Sequence, residues 1–280
     1  MPARPAIASP RLTPAASIPG PGLSPLQCAA ALAACVIPAH ITYSAPPVTT
    51  AFNQFAALLL WGLFVFACAD PLRLRDALRD GWQLLAALAL VGAAAVASSL
   101  FGALPSSLGL GGAASCAAAV AMGLGGLAAG RAVRRQRLAM VALGLVAAGV
   151  LASVAGAVQV FAPQWGGNEW IAPSSLAGRA VGNLRQPNHL SSLLLWSAVA
   201  VVPLADAIAW RRASAGTWPA WLPTWALRIA FALQVFGITL SGSRTGIVGI
   251  GVLALWGLLD RRLRPSTRAL LLAAPLLYGA

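Results

Sequence analysis

Charge is the scarcest feature of this 280-residue sequence: 9% of residues are charged, only six are acidic, and none of the 19 basic residues is a lysine. With 59% hydrophobic residues and a mean hydropathy of +0.79, the chain cannot enclose its apolar surface in one water-soluble globule. The four cysteines, Cys28, Cys35, Cys68 and Cys116, show neither CxxC nor Cys/His metal spacing. That excludes a disulfide framework or a zinc site and leaves them as small hydrophobes in apolar runs. The first two dozen residues, rich in Pro, Ala and Ser, lack the charged start, apolar core and cleavage site of a signal peptide. Residues 1–23 therefore read as a flexible cytoplasmic tail.

What the sequence does contain is a series of apolar runs near the ~20 residues needed to cross a bilayer core. They cover 24–42, 52–69, 82–103, 108–129, 138–162, 189–209, 222–241 and 245–259, with a last run starting at 269. Apolar on all sides, they are helices rather than alternating barrel strands. The expected fold is all-α, a polytopic membrane bundle of about eight or nine transmembrane helices occupying 24–280. Gly126 and Gly130 form a small-xxx-small pair, to which no function is assigned.

Arginine placement sets the orientation, because cytoplasmic loops retain positive charge. An inside N-terminus puts Arg4, Arg11, Arg73, Arg75, Arg79, Arg131, Arg134, Arg135 and Arg137 on the cytoplasmic side, with Arg211, Arg212, Arg261, Arg262, Arg264 and Arg268. Arg228, near the inner end of its helix, can snorkel to the interface. Topology thus accounts for the +13 net charge without a nucleic-acid partner.

Three arginines remain outside: Arg179, Arg185 and Arg244. The first two lie in the longest outer connection, 163–188, which also carries Trp165 and Trp170, suited to the headgroup interface, and Glu169, the one acid expected on that side. Arg244 follows "TLSGS", read as a tight, partly embedded break at Ser241, Gly242 and Ser243. An arginine at membrane depth costs about 2.5–3.5 kcal/mol on insertion scales and calls for a partner, yet no carboxylate lies nearby in sequence. Guanidinium forks bind phosphate oxygens in pairs, so the outer arginines suit a diphosphate clamp at the membrane surface. Equally compatible with the residues alone, Arg179 and Arg185 contact lipid headgroups while Arg244 caps backbone carbonyls. Past Pro187, Asn188 is expected as the N-cap of the sixth span, with His189 in its first turn.

The stretch "WIAPSSLAGRAVGNLRQPNHLSSLLLW", followed about fifty residues later by "LSGSRTG", resembles bacterial O-linked protein-glycosylation ligases within the O-antigen ligase and polymerase superfamily. The resemblance implies a multi-pass inner-membrane oligosaccharyltransferase. Such an enzyme moves a glycan from an undecaprenyl-diphosphate carrier to Ser or Thr hydroxyls of periplasmic proteins, without a nucleotide sugar, cofactor or metal. Its implied partners are a lipid-linked oligosaccharide, a periplasmic acceptor protein and membrane lipids. By motif, Arg179, Gln186, Asn188 and His189 match the family's first polar element and Arg244 its second; Arg185 stands where the family often has a smaller residue. The family is longer, and its presumed catalytic histidine lies in a large periplasmic loop past the last span, so the general base and the C-terminal catalytic loop are expected beyond residue 280. His189 receives no base role. Two alternatives stand beside this reading: ligation or polymerisation of O-antigen on lipopolysaccharide, and a transporter using the outer residues as an anion port. Against the transporter, the spans lack the intramembrane acids of ion-coupled relays.

The orientation has a direct check. In a variant without the four native cysteines, Ser175→Cys should react with an impermeant maleimide from the outer side of intact spheroplasts, and Ser214→Cys should react only after lysis. The reverse pattern would invert the topology.

Overall fold

A computed structural model describes residues 23–44, 50–129, 134–215 and 222–279, with the side chains of 210–215 and 222 outside the description. The expected N-terminal tail, with Arg4 and Arg11, lies almost wholly outside the described residues, as do Gly130 and Arg131 and the side chains of Arg211 and Arg212. Among the described residues helices are the regular structure and there is no strand, as the apolar runs predict. The order is α1 (Pro25–His40), α2 (Ala51–Cys68), α3 (Leu74–Phe101), α4 (Ser106–Ala128), α5 (Arg134–Phe161), α6 (Pro187–Ala215), α7 (Leu222–Ser241), α8 (Arg244–Leu259) and α9 (Pro265–Gly279). Six helices are long and apolar enough to cross a membrane by length and composition. This supports a multi-pass membrane protein.

The helices differ from the apolar runs chiefly at their ends. α3 and α5 begin several residues before their runs, at Leu74 and Arg134, and carry Arg75, Arg79, Arg135 and Arg137 in their opening turns. Backbone hydrogen bonding favours continuing the helix into the interface, where long arginine stems stay apolar and their heads reach water. α1 falls short of its run at both ends, whereas α8 starts one residue before its run; each has 16 residues, or about 24 Å at 1.5 Å per residue. Polar loop structure meets their ends.

The main core lies between α5, α6, α7, α8 and α9, around Leu190, Leu194, Phe231, Val235, Ile238, Ile250 and Leu271. A smaller cluster joins α1 and α2 through Ala30, Ala31, Phe64 and Cys68. Small residues let the helices come close: a Cβ on Gly144 of α5 would sit 2.9 Å from the Cβ of Cys35 on α1. α3 and α4 form a hairpin that reaches the rest through α4 and α2, and most of its surface faces outward, as lipid-facing helices do. All four cysteines are free thiols; Cys35 and Cys68 are buried, and Cys28 and Cys116 half-buried.

Two buried glutamines show opposite solutions to placing an amide in this core. Gln159, near the end of α5 and 5% exposed, uses both ends of its side chain. Its Oε1 accepts from the amides of Val181 (3.0 Å) and Gly182 (2.9 Å), and its Nε2 donates to the carbonyls of Ala172 (2.7 Å) and Gly182 (3.2 Å). Gln234, fully buried in α7, has neither amide atom hydrogen-bonded to a described residue, and it approaches Gly149 together with Ser197, whose hydroxyl is also unpaired among the described residues.

An unsatisfied buried polar group costs roughly 1–3 kcal/mol. Gln159→Leu strands backbone groups of the connection and should destabilise the protein by ~2 kcal/mol or more. Gln234→Met removes only unpaired atoms and should be neutral or stabilising. Thermal unfolding of both variants in nanodiscs checks the contrast; equal losses would contradict it.

Candidate functional site

The connection between α5 and α6 is exposed over most of 163–179 and enters the protein at its end. Ala172, Ala180, Val181 and Asn183 are at most 2% exposed, so the backbone there must be satisfied by protein. A short 3-10 turn at Pro163–Trp165 starts it. The Asn168 side chain then accepts from the amides of Trp170 and Ile171, both at 2.8 Å, closing a local turn that leaves Trp165 and Trp170 exposed. Gln159 holds the middle. Asn183 extends the anchoring: its Oδ1 accepts from the Ala172 amide (3.0 Å) and its Nδ2 donates to the carbonyls of Trp170 (2.8 Å) and His40 (3.2 Å). The Ala180 amide donates to the Leu240 carbonyl of α7 (2.9 Å). The connection is thereby bonded to the ends of α1, α5 and α7.

The outer arginines divide between two positions and two kinds of role. Arg179 reaches the break between α7 and α8, where its Nε donates to the Ser241 carbonyl (3.1 Å) and its Nη2 to the Gly242 carbonyl (2.7 Å). Carbonyl capping therefore falls to Arg179, not to Arg244, as the alternative to a clamp supposed. Arg185 turns away toward α1: its Nη2 donates to the Thr42 carbonyl, and its φ of 57° lies in the left-handed region that few non-glycine residues adopt. Arg244 is exposed, and its guanidinium makes no hydrogen bond or ion pair with any described residue. The structure thus brings Arg179 to residues two and three positions before Arg244, and carries Arg185 elsewhere.

The break has the expected form. Gly242 sits at φ 56°, a conformation suited to glycine, and a Cβ there would lie 3.1 Å from Arg179 Nε. Ser243 caps α8: its side chain accepts from the Gly246 amide (3.4 Å). The same hydroxyl donates to Asn188 Oδ1 (2.7 Å), and Ser191 Oγ lies within hydrogen-bond distance of both Ser243 Oγ and the Asn188 carbonyl, at 3.0 Å each.

Asn188 is consequently not the N-cap of α6. Pro187 takes the first helical position, which suits its fixed φ and missing N–H, and the cap falls to Gln186, whose carbonyl accepts from the Leu190 amide (3.0 Å). Asn188, one residue inside, reaches across to α8 instead. Gln186 is exposed; His189, also exposed, lines a groove of about 310 Å³ bounded by α1 and α2 with Asn53 and Trp61. His189 therefore faces a different side of α6 from the Asn188–Ser243 contact.

The N-termini of α6 and α8 are joined at this contact, and neither has an acidic residue in its first turn. The positive dipole ends of both helices converge on one locus, a setting that attracts anions. Arg244, in the first turn of α8, is a cation on the unfavourable side of the dipole, a placement that an anion would reverse. Among the described residues no three His, Cys, Asp or Glu side chains cluster to hold a metal ion. Sequence reading missed Gln159, Asn183 and the Ser191–Ser243 pair. The signal for Gln159 was a single amide near the end of an apolar helix, in "GAVQVF".

Residues 180–204 match the family model described as protein glycosylation ligase, a segment covering the buried end of the connection and the first half of α6. No curated protein and no solved structure matches the chain.

Gly242→Ala adds left-handed strain of about 1 kcal/mol and pushes on Arg179. It should release the connection, so that trypsin cuts after Arg179 faster in the purified variant than in the wild type. Equal cleavage rates would show that Arg179 does not depend on this turn.

Proposed function

We propose that the chain forms the donor-binding part of an oligosaccharyltransferase of the bacterial inner membrane, taking a glycan from an undecaprenyl-diphosphate carrier and passing it to Ser or Thr hydroxyls of periplasmic proteins. The observation that carries the reading is the 2.7 Å bond between Ser243 and Asn188, which joins two helix N-termini beside a guanidinium without a partner among the described residues. The similarity of residues 180–204 to protein glycosylation ligases supports a protein acceptor over lipopolysaccharide.

The acceptor hydroxyl oxygen bonds to the anomeric carbon of the glycan while the bond from that carbon to the diphosphate oxygen breaks. The diphosphate leaves with the electron pair, and the hydroxyl proton passes to a base. Transition-state charge accumulates on the departing diphosphate, so donors already aimed at that locus lower the barrier. Arg244 supplies the planar fork. The Nδ2 of Asn188, whose Oδ1 is held by Ser243, supplies neutral donors, and the two helix N-termini supply amides and dipole. Arg179 fixes the turn that presents Arg244 and keeps its remaining donors on the same side. Arg185 and Gln186 orient the entry of the chain into α6. His189 borders the neighbouring groove and carries no base role.

Arg244→Ala should lower glycan transfer by about 100-fold or more, the usual cost of removing one donor to developing charge, with membrane insertion intact. Arg244→Lys should recover part of that, since it restores charge without the fork. The assay is glycosylation of a periplasmic acceptor by the full enzyme. Wild-type glycosylation by Arg244→Ala would sink the proposal.

A further inference from the structure

The opposite end of the bundle, expected to face the cytoplasm, carries a second cationic recess that glycan transfer does not use. α6, α7 and α9 enclose a cavity of about 150 Å³ with an aliphatic floor that includes Val201, Leu227 and Leu270 and with Arg228, Arg264, Ser266 and Thr267 among its walls. Thr267 is 5% exposed, a buried polar residue in the first turn of α9. Its hydroxyl has no hydrogen-bond partner among the described residues and is not one of the sealed, unsatisfied polar atoms of the core, so it stays reachable for a ligand in the recess it lines.

The charges around the recess leave room for an anion. Arg228 stacks over the Trp225 ring, 4.9 Å from the guanidinium carbon to the ring centroid, and has no ion-pair partner among the described residues. The one described carboxylate beside the recess is Asp206, 3.1 Å from Arg264 Nε; both side chains are more than half exposed, so the pair is weak and screened. α9 starts at Pro265 with no acidic residue in its first turn, and its first amide bond back to the preceding turn is Arg268 N to the Arg264 carbonyl. The Ser266 and Thr267 amides therefore precede the hydrogen-bonded ladder and are available at the positive end of the dipole.

We propose that this recess binds a phosphate-bearing anion at the arginine-rich membrane surface, its oxygens taken by the Arg228 guanidinium, the Thr267 hydroxyl and the α9 N-terminal amides. A phospholipid headgroup and free phosphate share this chemistry. The position of the recess at a helix boundary, under an interfacial Arg228–Trp225 pair, suits a headgroup whose acyl chains follow the apolar outer surface of α7.

The test uses the full chain purified in detergent, stripped of lipid and titrated with phosphatidylglycerol or with inorganic phosphate, bound ligand being counted by native mass spectrometry. Arg228→Gln and Thr267→Val should each weaken binding about tenfold, the usual scale for a hydrogen bond to a charged group, and Arg228→Lys should recover part of it. Asp206→Asn removes the competing carboxylate and should strengthen binding, a gain that misfolding cannot produce. Variant-sensitive binding of phosphatidylglycerol that inorganic phosphate does not displace identifies the headgroup as occupant. Variant-sensitive binding of inorganic phosphate alone identifies the free ion. Binding that ignores Arg228→Gln, Thr267→Val and Asp206→Asn, or no binding of either ligand, overturns the proposal.

Discussion

The constraint from which the outer end of this protein follows is that buried backbone must be hydrogen-bonded. The connection from α5 to α6 is exposed over most of its length and enters the bundle at Ala180–Asn183, and the peptide groups it buries need a donor or acceptor from the protein. Gln159 meets this need with all four of its hydrogen bonds, Asn183 with three more, and Arg179 meets the matching need of the carbonyls left free at the end of α7. Polar side chains in an otherwise apolar protein are thus concentrated where regular structure stops. Gln234 is the counterexample inside regular structure: a helix already satisfies its own backbone, so its amide is surplus there and bonds nothing among the described residues.

Holding the connection in place also fixes the chemistry of the outer end. Because the chain enters α6 through Pro187 and α8 through Ser243, the two helices start beside each other, and hydrogen bonds of Ser243 with Asn188 and Ser191 register their N-termini. Their dipoles then add at one locus. Ordinary stability would favour carboxylates in those first turns; the sequence has none there and places Arg244 instead. That choice is unfavourable for an isolated helix and favourable for one that binds an anion, so the local electrostatics and the resemblance to glycosylation ligases point the same way from independent starting points.

Much of the fold was legible because apolar runs near the length of a bilayer crossing have few other structural outcomes; all nine runs appear as helices. The break at Gly242 was legible because glycine between two serines ends one helix and caps the next. What sequence could not supply was long-range pairing. Asn183 meets His40 at the end of α1 and Arg185 meets Thr42 just past it, each across 143 positions, and no periodicity reports such contacts. The three outer arginines therefore read as one group, whereas the structure separates Arg185 from the Arg179 and Arg244 locus. Asn188 was misplaced as a cap for a local reason: Pro187 competes for the first helical position and wins it, moving the cap to Gln186.

The central claim is that Asn188 and Arg244 serve one anion through the contact between their helices. The most direct measurement is a double-mutant cycle on the full enzyme, measuring affinity for a water-soluble short-chain prenyl diphosphate with Asn188→Ala, Arg244→Ala and both together. A shared site predicts a coupling of about 1 kcal/mol or more, the double variant losing clearly less than the sum of the single losses. Strict additivity, or binding that neither substitution changes, would contradict it.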